Sequence, residues 1–422
     1  MTLNKDSINR GLRYLFLGAS YFLVCFHRNS LAVIGPRISA DFGLTTSSLG
    51  VVGSLFMYPY ALMQVPSGLL ADRVHPITVL RASVALVTLG AVLFATCSSY
   101  TSLCLSRLVL GLGSGLFYVP AAKLMSGRDA SSSVGAMLGL FISVGNAGTI
   151  FASAPLTLLV MRWSWRTIVL LTGLLSGGLF LISFGTHWGG FPKRTAAGQL
   201  RFDGMPASGL HYVISVYRKF TREIVILGLW SFFLVGAEIS FRSVFAVDYL
   251  MKARGFAMDK AGVVLLAMTM GSSIGSPLVG WISDRFRPRK RVVLVFSLAC
   301  VFWWAIQPLG FPYLGIIIPT TSYFIMGITC GCFIIAFAWA KEELPEHLVG
   351  LTIGIFNLAG FLGSAMLSHI LGNVAEGKLG YTGVFLINAV ALLFSTLPVI
   401  LVREPGTDLS GVEAGKGTHR LT

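Results

Sequence analysis

Three charged side chains sit where charge is expensive. Arg28 falls slightly past the middle of an apolar stretch running about 14–36, in the run Cys25-Phe-His27-Arg28-Asn29-Ser30. Glu238 and Arg242 fall inside a second such stretch, about 223–250. A Lys, Arg or Asp at the centre of a membrane helix costs about 2.5–3.5 kcal/mol, so such groups usually face a cavity or a partner. No acid in the first stretch neutralises Arg28, and its guanidinium is a planar fork suited to a carboxylate or phosphate. The chemistry this implies is capture of an anion; the alternative is a structural Arg that caps carbonyls or pairs with a distant acid. Glu238 and Arg242 are four residues apart on one helical face, in the favourable order for an ion pair. Either they neutralise each other, or Glu238 is a carboxyl that loads and releases a proton, with His27 as the second candidate.

Weaker polar candidates surround these. Tyr60 and Gln64 share a helical face, Tyr118 stands near Pro120, and Asn146 and Asn357 occupy Gly-rich stretches. Each can hydrogen-bond a substrate or bridge two helices. Lys123 is expected to snorkel to an interface, and Lys341-Glu342-Glu343 to form a solvated boundary. The six cysteines (Cys25, Cys97, Cys104, Cys300, Cys330, Cys332) are scattered over apolar stretches. They have neither metal-ligand spacing nor a disulfide framework and read as packing residues. No cofactor is expected. Without a Ser/His/Asp constellation, a nucleotide-binding loop or a soluble domain, enzymatic chemistry is not expected either.

The elements that must position these groups are membrane helices. The chain is 55% hydrophobic and 12% charged, with mean hydropathy +0.78, against roughly 25% charged residues in soluble domains. Twelve apolar stretches come close to the roughly 20 residues needed to cross hydrocarbon. They lie near 14–36, 46–70, 78–98, 102–125, 133–160, 166–186, 223–250, 261–282, 291–310, 313–339, 348–372 and 380–402. The net charge of +15 suggests nucleic acid until its distribution is read. With both termini in the cytoplasm, 22 of the 32 Lys and Arg fall on the cytoplasmic side, seven on the other and three inside helices. That is the positive-inside bias of a multi-pass protein of the cytoplasmic (inner) membrane, not a nucleic-acid footprint. The first stretch shows no small-residue cleavage site and reads as an uncleaved helix. The expected division is a six-helix half over 1–187, a cytoplasmic linker over 188–222, a second half over 223–403 and a disordered polar tail over 404–422. Within the linker, Leu210, Val213, Ile214 and Tyr217 recur at helical spacing and suggest a short helix lying on the inner surface.

The two halves repeat each other. A shift of 212 residues lays Gly43, Gly50, Gly68, Asp72-Arg73 and Pro76 on Gly255, Gly262, Gly280, Asp284-Arg285 and Pro288. A shift of 215 pairs Gly139, Phe141, Gly145 and Gly148 with Gly354, Phe356, Gly360 and Gly363. Gly68-Leu-Leu-Ala-Asp72-Arg73, with Arg81 after it, resembles the signature between helices 2 and 3 of the major facilitator superfamily, and Gly280-Trp-Ile-Ser-Asp284-Arg285 is its echo. Arg107 before Gly111 and Gly113 is similar to that superfamily's helix-4 motif, and Trp165-Arg166 also fits. The resemblance implies an all-α fold of twelve helices in two six-helix halves that rock about a central site. It implies gating roles for Asp72, Arg73, Arg81, Arg107, Asp284 and Arg285, and substrate contacts at Arg28, Tyr60, Gln64, Tyr118, Arg242, Asn146 and Asn357.

Arg before an Asn-Ser-Leu-Ala run resembles the organic-anion and organophosphate branches. Gln64 stands where the phosphate-ester exchangers carry Lys, and Gly145 where they carry His, which weakens a dianionic phosphate ester and favours a less charged carboxylate or a mixed substrate; the expected class is a small organic anion, carboxylate or phosphorylated metabolite. The expected partners are a small anionic substrate, protons or a counter-anion, and the lipid bilayer, with the protein a monomer. The competing class is a proton-coupled drug or metabolite exporter. Its helix-5 Gly-Pro motif is not met, since Pro155 comes well after Gly145-Asn146-Ala-Gly148.

Overall fold

The structure is a computed structural model that describes residues 5–126, 134–186, 188, 209–286, 289–309 and 315–403. In chain order its helices are α1 Lys5–Asn29, α2 Leu31–Phe42, α3 Thr46–Leu62, α4 Gln64–Arg73, α5 Pro76–Thr96, α6 Tyr100–Gly115, α7 Tyr118–Ser126, α8 Val134–Phe151, α9 Ala154–Arg162 and α10 Trp165–Gly185. Then come α11 Gly209–Ser240, α12 Ala246–Lys252, α13 Met258–Arg285, α14 Arg289–Ile306, α15 Ile317–Cys330, α16 Ile334–Glu343, α17 Glu346–Glu376 and α18 Gly380–Thr396. No strand occurs among the described residues, as expected where hydrocarbon offers no partner for backbone polar groups.

The helix breaks have local causes. Between α1 and α2, Asn29 Nδ2 donates to Cys25 O (2.8 Å) and Ser30 Oγ to His27 O (3.3 Å). Side chains thus compete for carbonyls of the helix just before it breaks. The α3–α4 break follows Pro59, and α8 and α9 bend by 43° where Pro155 opens the second helix. Proline removes a helix hydrogen bond and disfavours helical geometry in the residue before it. Between α11 and α12, Phe241–Phe245 forms a π-helical turn.

Among the described residues, nine helices or nearly collinear helix pairs are long and apolar enough to span a membrane, and ten if the bent α8–α9 pair is one span. The expected stretches left over are the first and the ninth. The first is broken at Ser30 and carries His27 and Arg28; α14 opens on Arg289, Lys290 and Arg291. The expected short surface helix near residue 210 is instead the opening of the unbroken 32-residue α11. No proline or glycine interrupts residues 210–227 to end it. The expected tail over 404–422 lies outside the described residues.

In the N-terminal set, α5 packs on α6 and α10, α3 on α6, and α1 on α8; in the C-terminal set, α11 packs on α17, α13 on α15, and α14 on α18. The sets meet mainly where α3 runs along α17, with further contact of α13 on α9 and of α2 on α12. Gly50 makes the first of these approaches possible. A Cβ there would collide with the Ser368 carbonyl and lie 3.3 Å from the Gly372 Cα, the close backbone contact that small residues permit between membrane helices. At Gly139, by contrast, an added Cβ would meet nothing within 4 Å.

Candidate functional site

Arg28 is half-buried where α1, α3 and α17 meet. Its Nη1 donates to the Tyr60 hydroxyl at 3.1 Å, and Nη2 lies 3.8 Å from Cys25 Sγ. The guanidinium carbon stands 5.6 Å from the ring centres of both Tyr60 and Phe361, within the range of cation–π attraction. Those two rings meet edge to face at 4.7 Å. Arg28 Nε is buried without a partner, and no carboxylate among the described residues lies within salt-bridge distance of the side chain. A cation withdrawn from water without an anion beside it is costly.

Two residues flanking it were expected to contribute. Gln64 is half-buried and donates from Nε2 to Tyr60 O at 3.2 Å, which ties it to the backbone at the α3–α4 break. Tyr118 is half-buried at the start of α7, its ring 5.6 Å from Tyr21 and 6.2 Å from Phe141. Tyr21 and Phe141 stack at 4.4 Å. Asn146 is exposed and Asn357 half-buried; neither hydrogen-bonds through its side chain to a described residue.

A second cluster runs across the two helix sets. Arg242 Nε lies 2.5 Å from Glu238 Oε1 and its Nη2 3.5 Å from Oε2. The pair is buried, at 8% and 7% exposure. Ser272 Oγ donates to the same Glu238 oxygen at 2.9 Å. Arg242 Nη1 then donates to Asn29 Oδ1 at 2.9 Å, and Asn29 Nδ2 to Thr149 Oγ1 at 3.2 Å. One chain of polar groups therefore joins α13, α11, α1 and α8. Arg242 lies on the π-helical turn, a local distortion that often marks functional sites. Its charge is answered by Glu238, unlike that of Arg28. His27 is fully buried with neither ring nitrogen bonded.

The residues expected at the gate separate into several environments. Arg81 gives its donors to Ser183, at 3.2 Å to Oγ and 2.7 Å to the carbonyl, and stacks 4.2 Å from Phe184; it therefore braces α5 against α10. Arg73 and Arg285 are exposed. Asp72 closes α4, and its side chain lies outside the described part. Asp284 pairs at 2.8 Å with Arg289, which is held more firmly by Glu342 at 2.6 and 2.8 Å. Those bonds with Glu342 keep the Arg289 guanidinium above its ordinary pKa. Glu342, expected in a solvated boundary, is thus tied to Arg289. Arg107 lies away from this end altogether. Its guanidinium sits 4.5 Å from Phe56 and 5.5 Å from Phe94, and its Nη1 donates to His27 O at 3.2 Å. Phe56 precedes Asp72 by 16 residues, roughly 24 Å of helix, so Arg107 belongs to the packing of the N-terminal set. Lys123, expected to snorkel, donates to Ala71 O at 2.6 Å.

At the opposite end, bonds between the sets gather around the start of α3. The Ser47 backbone N–H donates to Glu376 at 2.6 Å, and Ser47 Oγ to Asn373 Oδ1 at 2.5 Å. An orphan N–H of one helix's first turn is thus capped by a carboxylate at the end of another, in the sense the helix dipole favours. Nearby, fully buried Asp248 accepts from Tyr381 at 2.5 Å and Thr46 at 3.5 Å, with Lys252 3.0 Å away.

Sequence reasoning missed Tyr21, Asn29, Asp248, Ser272, Arg289, Phe361 and Glu376. Tyr21 alone carried a readable signal, since it precedes Arg28 by seven residues on the same helical face. The others matter through contacts between distant segments.

Comparison with known proteins identifies the family. The chain is 26% identical over 430 residues to the "Probable sulfoacetate transporter SauU" of Cupriavidus necator, covering 97% of this chain and 98% of that one. It is 24% identical to the "D-galactonate transporter" of Escherichia coli O6:H1, covering 93% and 96%. Among solved structures it resembles a bacterial homolog of the human lysosomal transporter Spinster in an inward-facing and occupied conformation. The TM-score is 0.71 at 16% identity, over 94% of this chain and 97% of that one. The family model described as "Major Facilitator Superfamily" matches residues 17–368, and the chain belongs to that superfamily of membrane transporters.

Proposed function

We propose that this protein is a secondary active transporter that carries a small organic anion across the cytoplasmic membrane by alternating access. The twelve apolar stretches all cross in this reading, as two six-helix halves with both termini in the cytoplasm. The observation that carries the proposal is Arg28: a half-buried guanidinium with no carboxylate partner among the described residues, touching residues of both helix sets. Names of relatives that carry sulfoacetate and galactonate support an anionic substrate.

By the positive-inside bias, the Asp72/Asp284 end is cytoplasmic and the Thr45 end is outer. The bonds from Ser47 to Glu376 and Asn373 then hold the outer end shut, leaving Arg28 to be reached from the cytoplasmic side. For the coupling ion we favour a proton on Glu238. Protonation would withdraw the charge that holds Arg242, and with it the Arg242–Asn29 bond between the halves.

Uptake into vesicles reconstituted with purified protein tests the anion hook. Arg28→Ala is expected to abolish uptake of an organic anion while the protein still inserts and folds. Arg28→Lys is expected to restore only part, because an ammonium lacks the bidentate fork. Normal uptake by Arg28→Ala would overturn the proposal.

A further inference from the structure

We infer that the Arg28 site is built for a ring-bearing monocarboxylate, with an aromatic acid as the class that fits it best. This rests on Arg28 being the anion hook and adds two properties of the surroundings, the amount of free positive charge and the character of the walls.

The charge comes first. As long as Glu238 is ionised, it neutralises Arg242 at 2.5 Å. Arg107 is 1% exposed beneath Phe56 and Phe94, so no ligand reaches it. Arg28 supplies one positive charge to the place where α1, α3 and α17 meet. With Arg242 so paired, a dianionic phosphate ester would bring a second negative charge that no free cation among the described residues beside Arg28 answers, and an unanswered charge in low dielectric is heavily penalised. A monocarboxylate balances the site.

The walls come second. Tyr60 and Phe361 flank the guanidinium. Tyr21 lies two turns back along α1, roughly 10 Å along the axis, stacked on Phe141 and beside Tyr118. A ligand with its carboxylate on Arg28 therefore meets the rings of Tyr60 and Phe361. The Tyr60 hydroxyl already accepts from Arg28, and the rest of its side chain and all of Phe361 offer a polyhydroxylated chain no hydrogen-bonding atom. A flat ring gains offset or edge-to-face contact with such walls, worth about tenfold in affinity beyond the area buried. A hydroxyl on that ring can meet Asn357, which stands one turn before Phe361 on the same face of α17 and has no side-chain partner among the described residues.

Thermal unfolding of the purified full chain, titrated with benzoate, 4-hydroxybenzoate, D-galactonate and glucose 6-phosphate, tests this. Either benzoate or 4-hydroxybenzoate is expected to stabilise the protein with affinity at least tenfold above D-galactonate, and glucose 6-phosphate to bind weakest. Ligands that bind the folded state raise its apparent stability by mass action. Phe361→Leu, which keeps an apolar side chain, is expected to cut aromatic-acid affinity about tenfold while leaving D-galactonate nearly unchanged. Preferential binding of D-galactonate or glucose 6-phosphate, abolished by Arg28→Ala, would overturn the aromatic assignment and leave the anion hook standing. Binding that survives Arg28→Ala, or binding by none of the four anions, would overturn both. Equal loss of all ligands in a folded Phe361→Leu protein would also refute the aromatic wall.

Discussion

Glu238→Gln separates a proton carrier from a structural counterion, and the structure sets the size of the effect. Glutamine preserves shape: its amide oxygen can still accept from Arg242 Nε and from Ser272, which now reach the carboxylate at 2.5 and 2.9 Å. What disappears is charge. Arg242, 8% exposed, would keep neutral acceptors in that amide oxygen and in the Asn29 oxygen at 2.9 Å, but no counter-charge. Breaking a buried pair by removing one partner costs about 3–5 kcal/mol. The retained hydrogen bonds place this substitution at the lower end, about 3 kcal/mol or roughly a hundredfold in the folded ratio. Thermal unfolding in detergent should show that loss, and Glu238→Gln with Arg242→Gln should recover most of it, because no uncompensated charge then remains. In reconstituted vesicles the single variant is expected to exchange labelled substrate by counterflow and to fail at proton-driven accumulation. Undiminished accumulation would exclude Glu238 as the essential proton site and redirect attention to His27 or to anion exchange. Unchanged stability would refute the claim that Arg242 depends on this carboxylate.

Three further outcomes follow from the contacts. Glu376→Gln removes the charge that caps the first turn of α3; exposed caps of this kind contribute about 0.3–1 kcal/mol. Spin-label distances across the Thr45 end should therefore shift toward open forms by about two- to fivefold, and more at low salt than at high; unaltered distributions would count against the cap. Gly50→Val places a branched side chain against the Ser368 carbonyl and Gly372. It is expected to force α3 from α17 and stop transport even if the protein inserts, so normal uptake would contradict the observed packing. Finally, Glu342→Gln should lower the unfolding temperature more than Asp284→Asn. Glu342 holds Arg289 through two bonds, whereas the Asp284 side chain is 68% exposed and solvent screens its pair to about 1 kcal/mol or less. The reverse order would show that Asp284 is the principal partner.

The sequence by itself determined the membrane class, the superfamily and the three charges of interest. Hydrocarbon leaves a helix as the default way for an apolar stretch to satisfy its backbone, so composition and length speak directly to architecture. A charge inside such a stretch is conspicuous because it is costly, which is why Arg28, Glu238 and Arg242 stood out, and the i, i+4 spacing already put the latter two together. Partners across the bundle were beyond it. Nothing in the spacing of residues 28 and 361 says that a ring of α17 flanks a guanidinium of α1, nor that Asn29 receives Arg242 from 213 positions away. The repeat even misled at Asp284, whose neighbour Arg285 is exposed while Arg289, four residues on, faces both Asp284 and Glu342. Periodicity reports which face of a helix a residue occupies. Which helix covers that face is decided by the packing of all of them, and here that packing gives Arg242 a counterion and, among the described residues, gives Arg28 none.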